Sequence, residues 1–305
     1  MENIGKARLH ERLDTSTPLE LVSLVPLMDR TGGSPDIVVG LIDGPVMMHH
    51  ADLVGTTIRH APGGTKGGCV QRTSVACMHG TFVAGILSAR RSSSALGICP
   101  DCTLVVRPIF SDLIPNQVEM PTATLEELAS AIVDCMAAGA RVLNLSVGLM
   151  QPSIRGERSL QEALDAAARR GVLIVAAAGN GRTIGSSIIT RHPWVIPVVA
   201  CNVRGAPLDY SNLGRSIGTQ GLRAPGERVP GLGTGENGIE LEGTSVATPF
   251  VTGTIALLWS LFPNAHASRV RFAVTRGSSA RARTVVPPLL NAWHAYQAMT
   301  QTICN

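Results

Sequence analysis

The sequence predicts an α/β fold in three layers, with helices on both faces of a mostly parallel central sheet. Three observations carry that expectation. Residues 36–43, 103–109, 141–147, 172–178 and 194–201 are continuous, largely β-branched apolar runs, the pattern of strands buried on both faces rather than one. Segments with apolar residues at helical spacing fall between these runs, so strand and helix alternate along the chain, as in a parallel sheet. Glycine, 32 residues in all, marks the junctions, where tight turns and close backbone packing need it.

Taken in order, Thr17-Pro18-Leu19-Glu20 predicts a helix start, with Thr17 as N-cap, Pro18 at the first helical position and Glu20 closing a capping box. Leu21, Val22, Leu24, Val25 and Met28 give that helix an apolar face, and Gly32-Gly33 ends it. The first strand stops at Asp43-Gly44-Pro45, a turn that leaves a carboxylate at the strand end. Residues 55–76 are polar and Gly-rich and read as a long surface loop. His79-Gly80-Thr81 then opens an apolar helix through Phe82, Val83, Ile86 and Leu87. A helix over 125–138 carries Glu126-Glu127 in its first turn, where the dipole favours acid. A helix over 160–170 precedes the strand that ends in the turn Gly179-Asn180-Gly181. After the strand at 194–201 comes a Gly-rich stretch, and Gly243-Thr244 leads into Ser245 and a long apolar helix. Pro249 falls early in it, where a missing N–H costs little. The organisation expected is a helical extension (1–35), one large α/β domain (36–275) and a small appendage (276–305) with a helical pattern over 289–299.

Composition excludes several classes. Hydrophobic residues make up 45% and charged ones 16%, material for a large core. A net charge of +4 is too mild for a nucleic-acid protein, and 3% aromatics offer few surfaces for stacking bases. The polar N-terminus has no apolar signal region, and no apolar run reaches a membrane span. Seven scattered cysteines suggest mainly plain thiols in a reduced, cytoplasmic protein, with a local disulfide or a metal site as the alternatives. Cys99-x-x-Cys102 lacks a second such pair, and Cys69 and Cys77 could complete a site only through folding. No metal and no cofactor is expected.

Candidate chemistry collects where strands end and helices begin, the place where such sheets bind ligands. Asp43 follows a strand, and His79 and Ser245 each stand at a predicted helix start. A serine nucleophile needs a base, the base an imidazole, and the imidazole a carboxylate to fix its tautomer. The chain order Asp, His, Ser is one in which that triad is built. Asn180, on an exposed turn, could donate its amide to an oxyanion. Each residue also has a plain reading: Asp43 capping a turn, His79 a core or capping histidine, Ser245 a helix cap, Asn180 adopting positive φ before Gly181.

The surrounding blocks weigh against four coincidences. VVGLIDGPV around Asp43, HGTFVAGIL around His79, LNLSVG at 143–148, VAAAGN at 175–180 and EGTSVATPFVTG around Ser245 resemble the subtilisin-like serine proteases over about residues 37–275. The resemblance implies a subtilisin-like three-layer fold with Ser245 as nucleophile, His79 as general base and acid, Asp43 as its orienting partner and Asn180 as oxyanion donor. It further implies that Ser146, Val147 and Gly148 pair with an extended peptide substrate. Ala177, Ala178 and Gly179 would wall an apolar P1 pocket.

Three departures refine the resemblance. Gly44 follows the aspartate where Ser or Thr is usual, only 35 residues precede the first strand run, and no family calcium loop is evident. These favour an intracellular maturation enzyme. IDGPV, RPIFSD at 107–112, AIVDCMAAGARVLNLSVG, LDYSNLG at 208–214 and QGLRAPGE at 220–227 are similar to the cyanobactin-type maturation proteases of the PatA group. That group removes the leader from a ribosomally made, modified precursor peptide. Weaker motifs are set aside: Gly231-x-Gly233-x-Gly235 lacks the strand and helix of a dinucleotide site, Asn144-Leu145-Ser146 is a sequon inside a predicted buried strand, and His49 and His50 lie in a short loop.

Overall fold

The computed structural model describes residues 17–63, 68–110, 123–146, 156–235, 237–276 and 284–301. In chain order it contains α1 (Pro18–Leu21), α2 (Val25–Met28), β1 (Val38–Asp43), a 3₁₀ turn (Ala51–Leu53), β2 (Ile58–His60), α3 (Val75–Ser88), β3 (Thr103–Pro108), α4 (Leu125–Ala137), β4 (Val142–Leu145) and α5 (Glu157–Arg170). There follow β5 (Leu173–Ala177), α6 (Ile188–Arg191), β6 (Val195–Cys201), α7 (Arg215–Gln220), β7 (Leu222–Pro225), β8 (Val229–Gly231), β9 (Ile239–Leu241), α8 (Thr244–Leu261), α9 (Ala267–Arg276) and α10 (Ala292–Gln301).

The predicted three-layer α/β fold is present, and the main sheet is parallel throughout, in the order β2-β3-β1-β4-β5-β6-β7. Alternate residues of each strand point to opposite faces. Val39 and Leu41 therefore join the core under α3 and α8, while Ile42 joins the one under α4 and α5. α8 is the central helix of the first core. It is long and apolar enough to cross a membrane, yet 83% of it is buried inside the protein. Its threonines fit an apolar setting by bonding backward: Thr248, Thr252 and Thr254 donate to the carbonyls of Thr244, Thr248 and Phe250. Trp259, Phe82 and Phe250 are fully buried, and each such side chain contributes about 1.5–3 kcal/mol relative to exposure.

Five expectations are corrected. The helix predicted from Thr17 starts as foreseen, with the Thr17–Glu20 capping box formed, but it breaks at Ser23, where φ is +52°. Pro26 explains the break, because it cannot donate to an earlier carbonyl and restarts a helix only near a first turn, as in α2. α3 begins at Val75, with Ser74 as N-cap, so His79 lies in its second turn and not at its start. The apolar run Val75-Ala76-Cys77-Met78 forms its first turn, and the Ala76 carbonyl lies so close to Gly44 that a Cβ there would collide with it.

The predicted loop over 55–76 also holds the short edge strand β2. The Gly-rich stretch before Ser245 contains the sheet strand β7 and the antiparallel pair β8–β9. Finally, Cys69 and Cys77 are joined by a disulfide, against the leading expectation of plain thiols. The bond ties the loop to the first turn of α3, whose N-cap makes no side-chain hydrogen bond. Cys99, Cys102, Cys135 and Cys201 are buried free thiols. Cys99 and Cys102 belong to no cluster of three potential metal ligands among the described residues.

Both flanking segments pack into the sheet's core. Val22, Leu24, Leu27, Leu290, Ala292, Ala295 and Met299 share one cluster with β1, β5 and β6. The Ala292 N–H donates to the Val22 carbonyl at 2.9 Å, and Leu289 bridges Arg223 at the β7 edge.

Candidate active site

The carboxyl ends of β1 and β5 and the N-terminus of α8 meet at one rim of the sheet. Asp43 is the last residue of β1 and wholly buried. Its Oδ1 accepts from His79 Nδ1 at 2.7 Å and from the Gly44 N–H at 2.6 Å. Among the described residues its Oδ2 has no hydrogen-bond partner. On the other side of the ring, His79 Nε2 lies 2.9 Å from Ser245 Oγ. Carboxylate, imidazole and hydroxyl thus form one chain of hydrogen bonds from three elements distant in sequence.

The carboxylate fixes the tautomer: Asp43 Oδ1 can only accept, so Nδ1 carries the proton and Nε2 is left to accept from the hydroxyl. Two opposed effects act on the imidazole. Burial, the larger single influence, pushes its pKa down; the Asp43 charge and hydrogen bond push it up and together prevail, so the net direction is upward from the ordinary 6.5.

Ser245 is the second residue of α8, where its N–H has no acceptor within the helix. Gly243 precedes with φ +135°, a conformation that favours glycine. A Cβ there would come 3.0 Å from Asn180 Nδ2 and 3.5 Å from Ser245 Oγ, so the missing side chain leaves open the space between amide and hydroxyl. Asn180, exposed just past β5, is oriented by Thr244. The Thr244 N–H and Oγ1 both donate to Asn180 Oδ1, at 3.0 and 2.9 Å. Because a backbone N–H only donates, this fixes which end of the amide is oxygen and turns Nδ2 outward. Thr244 Oγ1 in turn accepts from the Gly179 N–H at 3.1 Å. Sequence reasoning missed Thr244; its position beside the serine at a helix start was the available signal.

The remaining predicted residues divide by location. Ala177 and Ala178 are buried at 5% and 7% exposure, and Gly179 follows with φ +99°. Ser146 is buried, and its Oγ accepts from Asn144 Nδ2 at 2.7 Å and donates to the Ser245 carbonyl at 3.3 Å. Its side chain therefore braces the start of α8, a task the sequence did not suggest. Val147 and Gly148 lie outside the described residues. Asn144 is buried and bonded to Thr252 as well. His50 caps the 3₁₀ turn through Nδ1 and faces the Gly235 carbonyl with Nε2, remote from the serine in its contacts.

Known proteins are similar to this chain in sequence and in fold. A thermostable alkaline protease of Halalkalibacterium halodurans is 30% identical over 194 residues, 63% of this chain but 50% of that protein, so the chain spans half of that relative's length. Among solved structures, the protease domain of PatA superposes with TM-score 0.80 at 31% identity, covering 88% of this chain and 97% of that one. The prenylagaramide maturation protease PagA does so with TM-score 0.77 at 27% identity, covering 90% and 98%. The subtilase description of peptidase S8 fits residues 34–287, a stretch that holds every element of the sheet and the rim just described, and the chain belongs to the subtilase family.

Proposed function

We propose that this subtilase is a serine endopeptidase that removes the leader from a ribosomally made, modified precursor peptide. The observation that carries the chemistry is the continuous path Ser245 Oγ–His79 Nε2 and His79 Nδ1–Asp43 Oδ1, at 2.9 and 2.7 Å. In this reading Ser245 Oγ attacks the scissile carbonyl while His79 Nε2 takes its proton, a transfer worth about 10²–10⁴ in rate. Asp43 stabilises the imidazolium without itself accepting the proton. The tetrahedral oxyanion sits between Asn180 Nδ2 and the Ser245 N–H. His79 then gives its proton to the departing amine, and water repeats the sequence to release the acyl group.

By the resemblance to the subtilases, Ser146, Val147 and Gly148 are the residues that pair with the extended peptide. Ala177, Ala178 and Gly179 wall a P1 pocket without a charge to read. The partner is a peptide, with no role for nucleic acid, membrane, metal or cofactor. Support for the precursor substrate is the similarity to PatA and PagA across nearly the whole chain; the similarity to an alkaline protease supports general degradation as the second reading. Incubation with the precursor peptide encoded beside the gene decides between them. A single cut at the leader boundary with casein left intact is expected, and rapid casein digestion without that cut overturns the substrate.

A cytoplasmic location belongs to the same proposal and is supported by the four buried free thiols. The Cys69–Cys77 bond supplies its test. The bond counts against a reducing compartment, so protein trapped from growing cells by acid and alkylated after unfolding is expected to carry both thiols alkylated if the location holds, and a Cys69–Cys77 bond recovered there overturns it.

A further inference from the structure

The motif LDYSNLG, residues 208–214, takes no part in the mechanism above, yet one of its side chains grips the loop that carries Asn180. Asn212 lies across residues 178–183. Its Nδ2 donates to the Ala178 carbonyl at 3.1 Å, and its Oδ1 accepts from the Gly181 N–H at 2.9 Å and the Thr183 N–H at 3.0 Å. Its own N–H donates to the Gly179 carbonyl at 2.8 Å. Four bonds thus bracket Asn180 on both sides. The backbone N–H donors and the carbonyl acceptor fix the orientation of the amide without ambiguity.

The loop needs such a hold. Gly179 and Arg182 both have positive φ, +99° and +52°, and a non-glycine residue in that region stores strain that its surroundings must over-determine. The Arg182 N–H donates to the Tyr210 carbonyl at 2.9 Å, a restraint from the same 208–214 segment, whereas the Arg182–Asp209 ion pair is largely exposed, with side chains 68% and 79% accessible, and so worth little. Asn212 is also matched to the place. An aspartate has no donor for Ala178, a serine does not span from Ala178 to Thr183, and a Cβ on Gly179 would strike Asn212 Nδ2.

We infer that Asn212 is a positioning residue: by clamping residues 178–183 it holds the Asn180 amide where the oxyanion forms and keeps the Ala178 wall of the P1 pocket in register with it. This inference rests on the proposed hydrolytic reading. Thr244 sets the rotation of the Asn180 amide; Asn212 sets the backbone from which that amide projects. A displacement of about 1 Å in such a donor costs roughly 10²-fold.

A double-mutant cycle on peptide hydrolysis tests it. Asn180→Ala is expected to lower kcat by about 10²–10³-fold, and Asn212→Ala by about 10²-fold with KM changed less than about 3-fold. Asn180→Ala/Asn212→Ala is expected to match Asn180→Ala in kcat within about 3-fold, since the clamp acts on kcat through that donor and any loss at the P1 wall falls on KM. Multiplying losses, to about 10⁴-fold or more, would mean a separate structural role and overturn the inference. Asn212→Asp keeps both acceptor bonds and guards against a variant that fails to fold; it is expected to lose less than Asn212→Ala.

A crystal structure of Asn212→Ala gives a readout independent of turnover. Asn180 shifted from the Ser245 side is expected, and an unmoved loop overturns the clamp even if the wild-type protein proves inert. An inert wild type that resists fluorophosphonate labelling would instead count against the hydrolytic reading alone.

Discussion

Ser245→Ala is expected to lower kcat by about 10⁶-fold and to abolish fluorophosphonate labelling, with His79→Ala nearly as severe and the double variant no worse than either. That size is the one known for subtilisin, a relative by family, and is not computed from this geometry. The non-additivity does follow from the arrangement. Ser245 Oγ and His79 Nε2 share one hydrogen bond at 2.9 Å, so removing either end removes the same event, the transfer of a proton during attack. What survives is the rate due to the Asn180 and Ser245 N–H donors and to substrate binding, about 10³–10⁴ above water. Single-turnover hydrolysis of a peptide ester measures this well. Activity in Ser245→Ala above a tenth of wild type would remove the serine from the mechanism, because among the described residues no other hydroxyl hydrogen-bonds to the imidazole.

Asp43→Asn is expected to cost about 10⁴ in kcat and, in the same protein, to move the acid limb of the pH profile to lower pH. The two effects have one origin. In the proposed mechanism neutral His79 is the base, so the rate rises as pH climbs through the His79 pKa. With Asp43 present that pKa lies above the ordinary 6.5, because charge and hydrogen bond outweigh burial. An amide removes the charge and leaves burial dominant, and burial favours the uncharged ring. The limb then moves down even as the plateau falls with the loss of the correct tautomer. Profiles of kcat/KM for both proteins report the free enzyme. A limb that stays in place would show that Asp43 does not control the proton on His79.

Much of this was legible in the sequence because parallel strands buried on both faces leave a simple trace. β1, β3, β5 and β6 lie within the continuous apolar runs that predict them, and Asp43 and Asn180 mark where two of them stop. Other features left no comparable trace. β7 reads as LRAP and becomes a strand only by pairing with β6 on one side and contacting residues 288–290 on the other, so tertiary context overrides propensity there. The start of α3 was hidden because Val75 and Ala76 follow a Gly-rich loop, and the close approach of the Ala76 carbonyl to the bare backbone of Gly44 comes from a segment about 30 residues earlier. Asn212 and Thr244 were hidden for another reason. Their importance lies in hydrogen bonds to residues 178–181, about 30 and 65 positions away, and local pattern contains no information about such partners. The same holds for the Cys69–Cys77 pairing, which spacing alone permits without requiring.

That pairing bears on how the enzyme is handled. Cys77 is two residues before His79, and the bond closes a loop with a sequence separation of 8. Dithiothreitol added to protect the four buried cysteines would also open this covalent staple beside the base. Rates recorded with and without reductant would then belong to two chemically distinct proteins, and an assay that leaves its buffer's thiol content unstated does not say which of them it measured.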